Sequence, residues 1–168
     1  MLPVEELKGL EQDGHLPEKA LIEWRAPGRE VEPNPPSGFT VLFVPYLQAG
    51  LRLPESDFLI EVLNHYGIEL VHLVPNSVLV LSVFAHMFEV FLGIAPSLRL
   101  FRFYYQIIRN KKGAGALGSF YFKFQDASKR MFPFLATKDA SQTWSKEWFY
   151  SEVPKESRIT YNRNAPLE

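Results

Sequence analysis

The chain predicts an α+β fold, a compact helical core followed by a small antiparallel sheet from the C-terminal third. Two stretches of different period predict it. Between Leu53 and Lys112 apolar residues recur at helical spacing in three successive blocks. Beyond Gly118 the period drops to two, with Phe120, Phe122 and Phe124 alternating with Tyr121, Lys123 and Gln125. Helices first and strands after is the order of an α+β domain. With 46% hydrophobic and 14% aromatic residues in 168, the chain can fill one core without a disulfide or metal.

The N-terminal segment, residues 1–32, holds eight acids against four bases. Leu7 and Leu10 fit one face of a weak amphipathic helix that Gly14 ends, and Ala20 to Trp24 fits a second short piece. Pro27-Gly28 and the run Pro33 to Gly38 read as loop by turn chemistry. The segment is therefore expected as an acidic arm that packs on or precedes the body, since 32 residues rarely bury a core alone. The body is expected to span 33–153 as one domain, with 154–168 a polar tail. Leu167-Glu168 reads as a cloning scar.

Phe39 to Val44 is β-branched and aromatic and is stopped by Pro45, which suits a short strand or the lead into a helix. Tyr46 to Leu51 suits a single turn closed by Gly50. The first long helix is expected from Pro54, with Glu55 and Asp57 in its first turn, where acids complement the dipole. Phe58, Leu59, Val62, Leu63 and Tyr66 form its apolar stripe, and Gly67 caps it. Asn76 or Ser77 is expected to cap the second helix, Val78 to Leu92. That helix is apolar nearly all round, with Ser82, His86 and Glu89 on one narrow face, so it belongs at the centre of a domain. Gly93 and Pro96 close it short of the roughly 20 residues of a membrane span.

Ser97 caps a third helix expected to run to Lys112. In that register Arg99, Arg102, Gln106 and Arg109 share one face, followed by Lys111 and Lys112. Residues 98–130 hold eight bases against one acid, a local +7 in a chain of net charge -1. Such a face attracts phosphate or an acidic partner, or it packs beside the acidic helix around Glu55 and Glu61. Met131 to Thr137 and Trp148 to Val153 are expected as the second and third strands.

The catalytic patterns fail physical tests. Gly113-Ala-Gly-Ala-Leu-Gly118 matches a dinucleotide fingerprint, but it follows a helix and opens a strand, the reverse of what a phosphate site needs. His15, His65, His72 and His86 lack ligand spacing, and there is no cysteine, so no metal and no cofactor is expected. Absence of cysteine also fits an intracellular protein of nucleus or cytoplasm. No serine sits in a nucleophile elbow. A nuclease would need several acids around metal ions, and Asp126 is the only acid at a clear strand end. Trp144, Trp148, Phe149 and Tyr150 suit either a stacking platform near Lys123 and Lys129 or the closing of a small core.

Six segments carry a family resemblance: Arg25 to Gly28, Ala49 to Phe58, His65 to Leu70, His72 to Asn76, Phe91 to Ile94 and Trp144 to Tyr150. In this order, across residues 5 to 153, the chain resembles plant proteins carrying the gypsy-type transposase domain. The resemblance implies a retrotransposon-derived origin and assigns no catalytic residue. The combined expectation is a non-enzymatic interaction or assembly module that binds a protein partner or itself. The alternative is a nucleic-acid module in which Arg99, Arg102, Arg109, Lys111, Lys112 and Lys123 contact DNA or RNA and Trp144, Trp148 and Tyr150 stack on bases. A third reading, kept on the family resemblance alone, is transposase or nuclease activity. No membrane partner is expected.

Overall fold

The computed structural model describes residues 2–110, 117–125, 143–153 and 159. Its class is α+β, with five α-helices and two small antiparallel sheets among the described residues. Helix α1 spans Val4–Gln12, strand β1 Trp24–Arg25, β2 Phe39–Phe43 and helix α2 Val44–Gln48. Helix α3 is Asp57–Tyr66, α4 Pro75–His86 and α5 Leu98–Tyr104. Strand β3 is Tyr105–Arg109, β4 Phe120–Phe124 and β5 Trp148–Glu152.

The first sheet is not a product of the C-terminal third alone. Its order is β1-β5-β2, so β5 is inserted between two strands from the first quarter of the chain. Val41 faces Tyr150 and Phe43 faces Trp148 across one pairing, while Trp24 faces Ser151 across the other. A buried strand between two partners satisfies its backbone on both edges. The acidic arm is thereby part of the body: Leu2, Leu7, Leu10, Leu16 and Trp24 are all buried in the common core.

Helix α3 starts later than its proline suggests. Ser56 is the cap, its Oγ accepting the Leu59 N–H at 3.3 Å, and Gly67 ends the helix at φ 62°. In α4, Pro75 occupies the first turn, so neither Asn76 nor Ser77 is the cap. Ser77 is buried and its Oγ instead accepts the Phe122 N–H at 3.2 Å, tying α4 to β4. Val74 N–H donates to the Phe120 carbonyl beside it.

The third helix departs furthest from the sequence expectation. It stops at Tyr104, where Tyr105 becomes extended (φ -120°, ψ 145°), and the chain runs on as β3. Tyr105, Ile107 and Ile108 are aromatic or β-branched and favour strand over helix. The alternating strand Phe120–Phe124 also needs a partner, and β3 supplies it residue for residue, from Tyr105 opposite Phe124 to Arg109 opposite Phe120. Tertiary pairing therefore overrides a helical period that was equally legible. The strand expected over Met131 to Thr137 lies outside the described residues.

The centre of the core is aromatic. Phe84 of α4 stacks on Phe58 (5.5 Å) and meets Phe101 edge to face (5.1 Å). Phe101 in turn contacts Tyr105 (4.9 Å) and Phe122 (4.9 Å), so one cluster joins α3, α4, α5 and the second sheet. Tyr46 and Trp144 close a second cluster on Phe43, and the Tyr46 hydroxyl donates to the Leu73 carbonyl at 2.8 Å. Burial raises the Tyr46 hydroxyl well above its ordinary range and Tyr105 to about 12, so both stay neutral.

A short 3-10 turn, Leu70–His72, delivers the chain into α4. His72 is buried, and its Nδ1 accepts the Glu69 N–H at 3.0 Å. That acceptor role requires the neutral ring. Desolvation lowers the His72 pKa, against the opposing pull of Glu69.

Two outcomes follow from this packing. Phe84→Ala should cost about 3–5 kcal/mol in a denaturant titration, because the cavity opens where four elements meet. His72 contributes a stability term in the opposite sense to a paired histidine: the unfolded ring takes up its proton near pH 6.5 and the folded ring only below that. Stability held above pH 6.5 should fall as the pH drops through the window beneath it. Melting curves between pH 7 and pH 5 should show that slope, and His72→Gln should flatten it.

Candidate functional site

The cations expected to form one row are divided by the end of α5. Arg99 and Arg102 are exposed on the helix. Arg109 lies on β3, exposed, on the sheet face that also carries Phe120 and Phe122. Lys123 is exposed on the other face, opposite Gln106. A strand turns successive side chains to opposite sides, so the helical i, i+3, i+7, i+10 alignment is lost. Arg102 lies close enough to Tyr66 that its positive charge opposes the rise that burial gives that phenol. Lys111 and Lys112 lie outside the described residues. A continuous basic helix face is therefore corrected to separate surface cations.

The stacking platform is corrected too. Trp148 and Tyr150 are each 5% exposed, lying on the buried side of β5 with ring centroids 5.2 Å apart. Tyr150 donates to Glu30 Oε2 at 2.7 Å and accepts the Asn34 N–H at 3.0 Å, which fastens the proline-rich loop to β5. Trp144 is half-buried against Phe43 and Tyr46. It packs so closely on Gly118 (φ 62°) that a Cβ there would stand 2.9 Å from its ring. These rings close a core and offer no open face to a base.

The unusual surface is apolar and lies at the end of α4, on the helical segment that continues it. Pro75 to Leu92 is continuous helix, 18 residues of mean hydropathy 1.5, enough by length and composition to cross a membrane, yet only 39% of it is buried. Its inner side, Val78, Leu81, Phe84 and Phe88, is core. The last six residues, Met87–Leu92, are wound as a π-helix and closed by Gly93 at φ 65°. Phe84 and Phe88 stack at 4.6 Å, and a continued α-helix would place Phe91 and Leu92 on the same inward side. Bonds from i to i+5 take an extra residue per turn and change that register. Phe91 is accordingly 68% exposed, Val90 61%, Leu92 59% and Ile94 55%. Four adjacent large apolar side chains in water mark a contact surface rather than a scattered exposure.

Beside this ledge runs a groove of about 490 Å³. Its walls are Gln48 to Leu59 on one side and α4 from Val78 to Glu89 on the other. Gly50 (φ 96°) lets the loop press on the helix, since a Cβ there would meet Ser82 Cβ at 2.8 Å. The floor is apolar, with Leu51, Phe58, Leu59 and Leu81. The rim is polar, with Arg52, Ser56, Ser82, His86 and Glu89. Sequence reasoning took Ser82, His86 and Glu89 for the helix's narrow polar face. They rim the groove, but nothing in the periodicity signalled the π register that exposes the ledge.

Among the described residues no three His, Asp or Glu side chains are grouped to hold a metal ion. The acids stand apart: Asp57 in the first turn of α3, Glu23 paired with Arg25 at 2.9 Å, and Glu89 on α4. Asp126 lies outside the described residues.

Residues 41–109 match the family described as "Putative gypsy type transposon". The match runs from within β2 to the end of β3, so it contains the groove, the ledge and the three arginines but not Lys123, Trp144, Trp148 or Tyr150. No curated protein and no solved structure matches the chain.

The two kinds of aromatic surface separate by mutation. Phe91→Ser should leave unfolding free energy within about 0.5 kcal/mol of the parent, as for an exposed position away from packing. Trp148→Ala should cost about 3–5 kcal/mol. Chemical denaturation followed by circular dichroism checks both.

Proposed function

We propose that the chain is a non-enzymatic interaction or assembly module of a retrotransposon-derived plant protein, working through the outer face of α4. The observation that carries this reading is the exposed ledge Val90 to Ile94, an apolar surface at the end of a rigid core helix and inside the region that matches the transposon family. Hydration of four large apolar side chains is unfavourable by roughly 25 cal/mol for each Å² left in water, and a partner that covers them recovers that free energy. The surrounding helix is held by the aromatic core, so the ledge is ordered before binding and little entropy is lost on docking.

A nucleic-acid reading rests on the exposure of Arg99, Arg102, Arg109 and Lys123. Their distribution over a helix and both faces of a two-stranded sheet gives a phosphate backbone separate contacts rather than a track. Labelled DNA and RNA should show no saturable binding that weakens steeply with salt, the signature of many phosphate contacts. Binding that falls by about 10³-fold or more between 50 and 200 mM salt would replace the ledge with the cations as the working surface.

The direct test places a photoreactive phenylalanine analogue at position 91 of the full chain in its native cells. Irradiation should give discrete protein adducts, whereas the same analogue at Lys8, exposed on α1, should not. Equal labelling at both positions would remove the ledge as an interaction surface.

A further inference from the structure

We propose that the occupant of this face is a second copy of the same chain, docked about a two-fold axis so that the ledge of each copy seats in the groove of the other. The inference rests on the reading of the α4 face as an interaction surface and names its partner. The first ground is shape. One helix carries both a projecting apolar end, Phe91 and its neighbours, and a half-open groove of about 490 Å³ with an apolar floor. A surface holding a knob and a hole side by side is self-complementary, and an isologous pairing satisfies both at once and closes at two.

The second ground is charge. Arg52 and Glu89 both rim the groove and both are exposed. The Arg52 guanidinium donates to the carbonyls of Leu47 (3.2 Å) and Leu51 (3.0 Å) and has no carboxylate partner among the described residues. Glu89 likewise has no cation among them. One positive and one negative group on the same rim select neither a polyanion nor a polycation. Across a two-fold axis they select each other, Arg52 to Glu89 twice.

The third ground is area. A stable pair needs about 800 Å² covered on each partner. A single exposed apolar patch on a monomer is typically roughly 300–600 Å², short of that figure. The groove walls must therefore be covered as well. A second copy presents the matching element to each at the same time.

The test uses charge reversal with light scattering and sedimentation over a concentration series. The parent chain should dimerise, and Arg52→Glu and Glu89→Arg should each weaken the dimer by about tenfold or more through two lost pairs. An equimolar mixture of the two variants should restore the parent affinity as a heterodimer, because one pair is re-formed as in the parent and the other with reversed sign. The double variant on one chain should restore it as a homodimer. Phe91→Glu should give a monomer, with an unchanged circular dichroism melt to show that the fold is intact. A parent chain that stays monomeric up to about 1 mM overturns the inference, that being beyond the weakest self-association of use. A dimer indifferent to the reversals, or a mixture that fails to restore it, also overturns it. Adducts from position 91 to other proteins alone, with the purified chain monomeric, would keep the interaction reading and discard the second copy.

Discussion

The contact on which the rest of the fold depends is the one between Phe84 and its aromatic neighbours. α3 brings Phe58, the turn after Phe84 in its own helix brings Phe88, and α5 brings Phe101. Phe101 passes the contact to Tyr105 and Phe122, so the second sheet is positioned by the same cluster. Offset and edge-to-face rings interlock in a way that aliphatic side chains do not. The consequence is that α4 has one orientation, and with it one outward face. Without that constraint an apolar helix could roll until its exposed residues were covered.

The other anchor is β5. A strand near the end of the described chain lies between β1 and β2 from the beginning, and Tyr150 reaches further to Glu30 and Asn34. This long-range pairing closes the domain around α4 and draws the N-terminal arm into the core. It also explains the lack of open aromatic surface near Trp148: the ring that would stack on a ligand is already used to bury the sheet. Pairings of high sequence separation form late in folding, since their loop closure costs entropy before contacts offset it. The local helical segments are therefore the natural starting structure.

What was legible in the sequence is what local chemistry decides. Helices α3 and α4 were visible in the stripe from Phe58 to Tyr66 and in the nearly unbroken apolar run from Val78, because both bury side chains at helical spacing. Strand β4 was visible in its alternating phenylalanines, and β5 in its aromatics. What was not legible is what a distant partner decides. Tyr105 to Arg109 carries a helical period and a strand composition at once, and only the presence of Phe120 to Phe124 alongside settles it. The arginine row was an alignment on a helix that ends at Tyr104. Ser77 had the chemistry of a cap, but Pro75 had already opened the helix, which freed the hydroxyl for β4. The ledge was hidden for a different reason: its residues looked like the last turn of a core stripe.

That last failure bears on how the surface arises. A run such as Met87 to Leu92 meets two demands that conflict. As α-helix it would turn Phe91 and Leu92 to the side of Phe84 and Phe88, the side on which Phe84 meets Phe58 and Phe101. As a π turn it presents the apolar side chains outward. π turns are rare and are found frequently at functional sites. Here Gly93 stops the helix in the left-handed region and Ile94 N–H returns to the Phe88 carbonyl at 3.1 Å, so both ends of the turn are fixed. A polar substitution at Phe91 or Leu92 would relieve the exposure at no cost to the core. The chain instead carries four apolar residues there, beside a groove whose rim holds one charge of each sign. The π register, the exposed area and the mixed rim are separate departures from what folding alone favours. They meet on one helix face, and a surface covered by a partner accounts for all three.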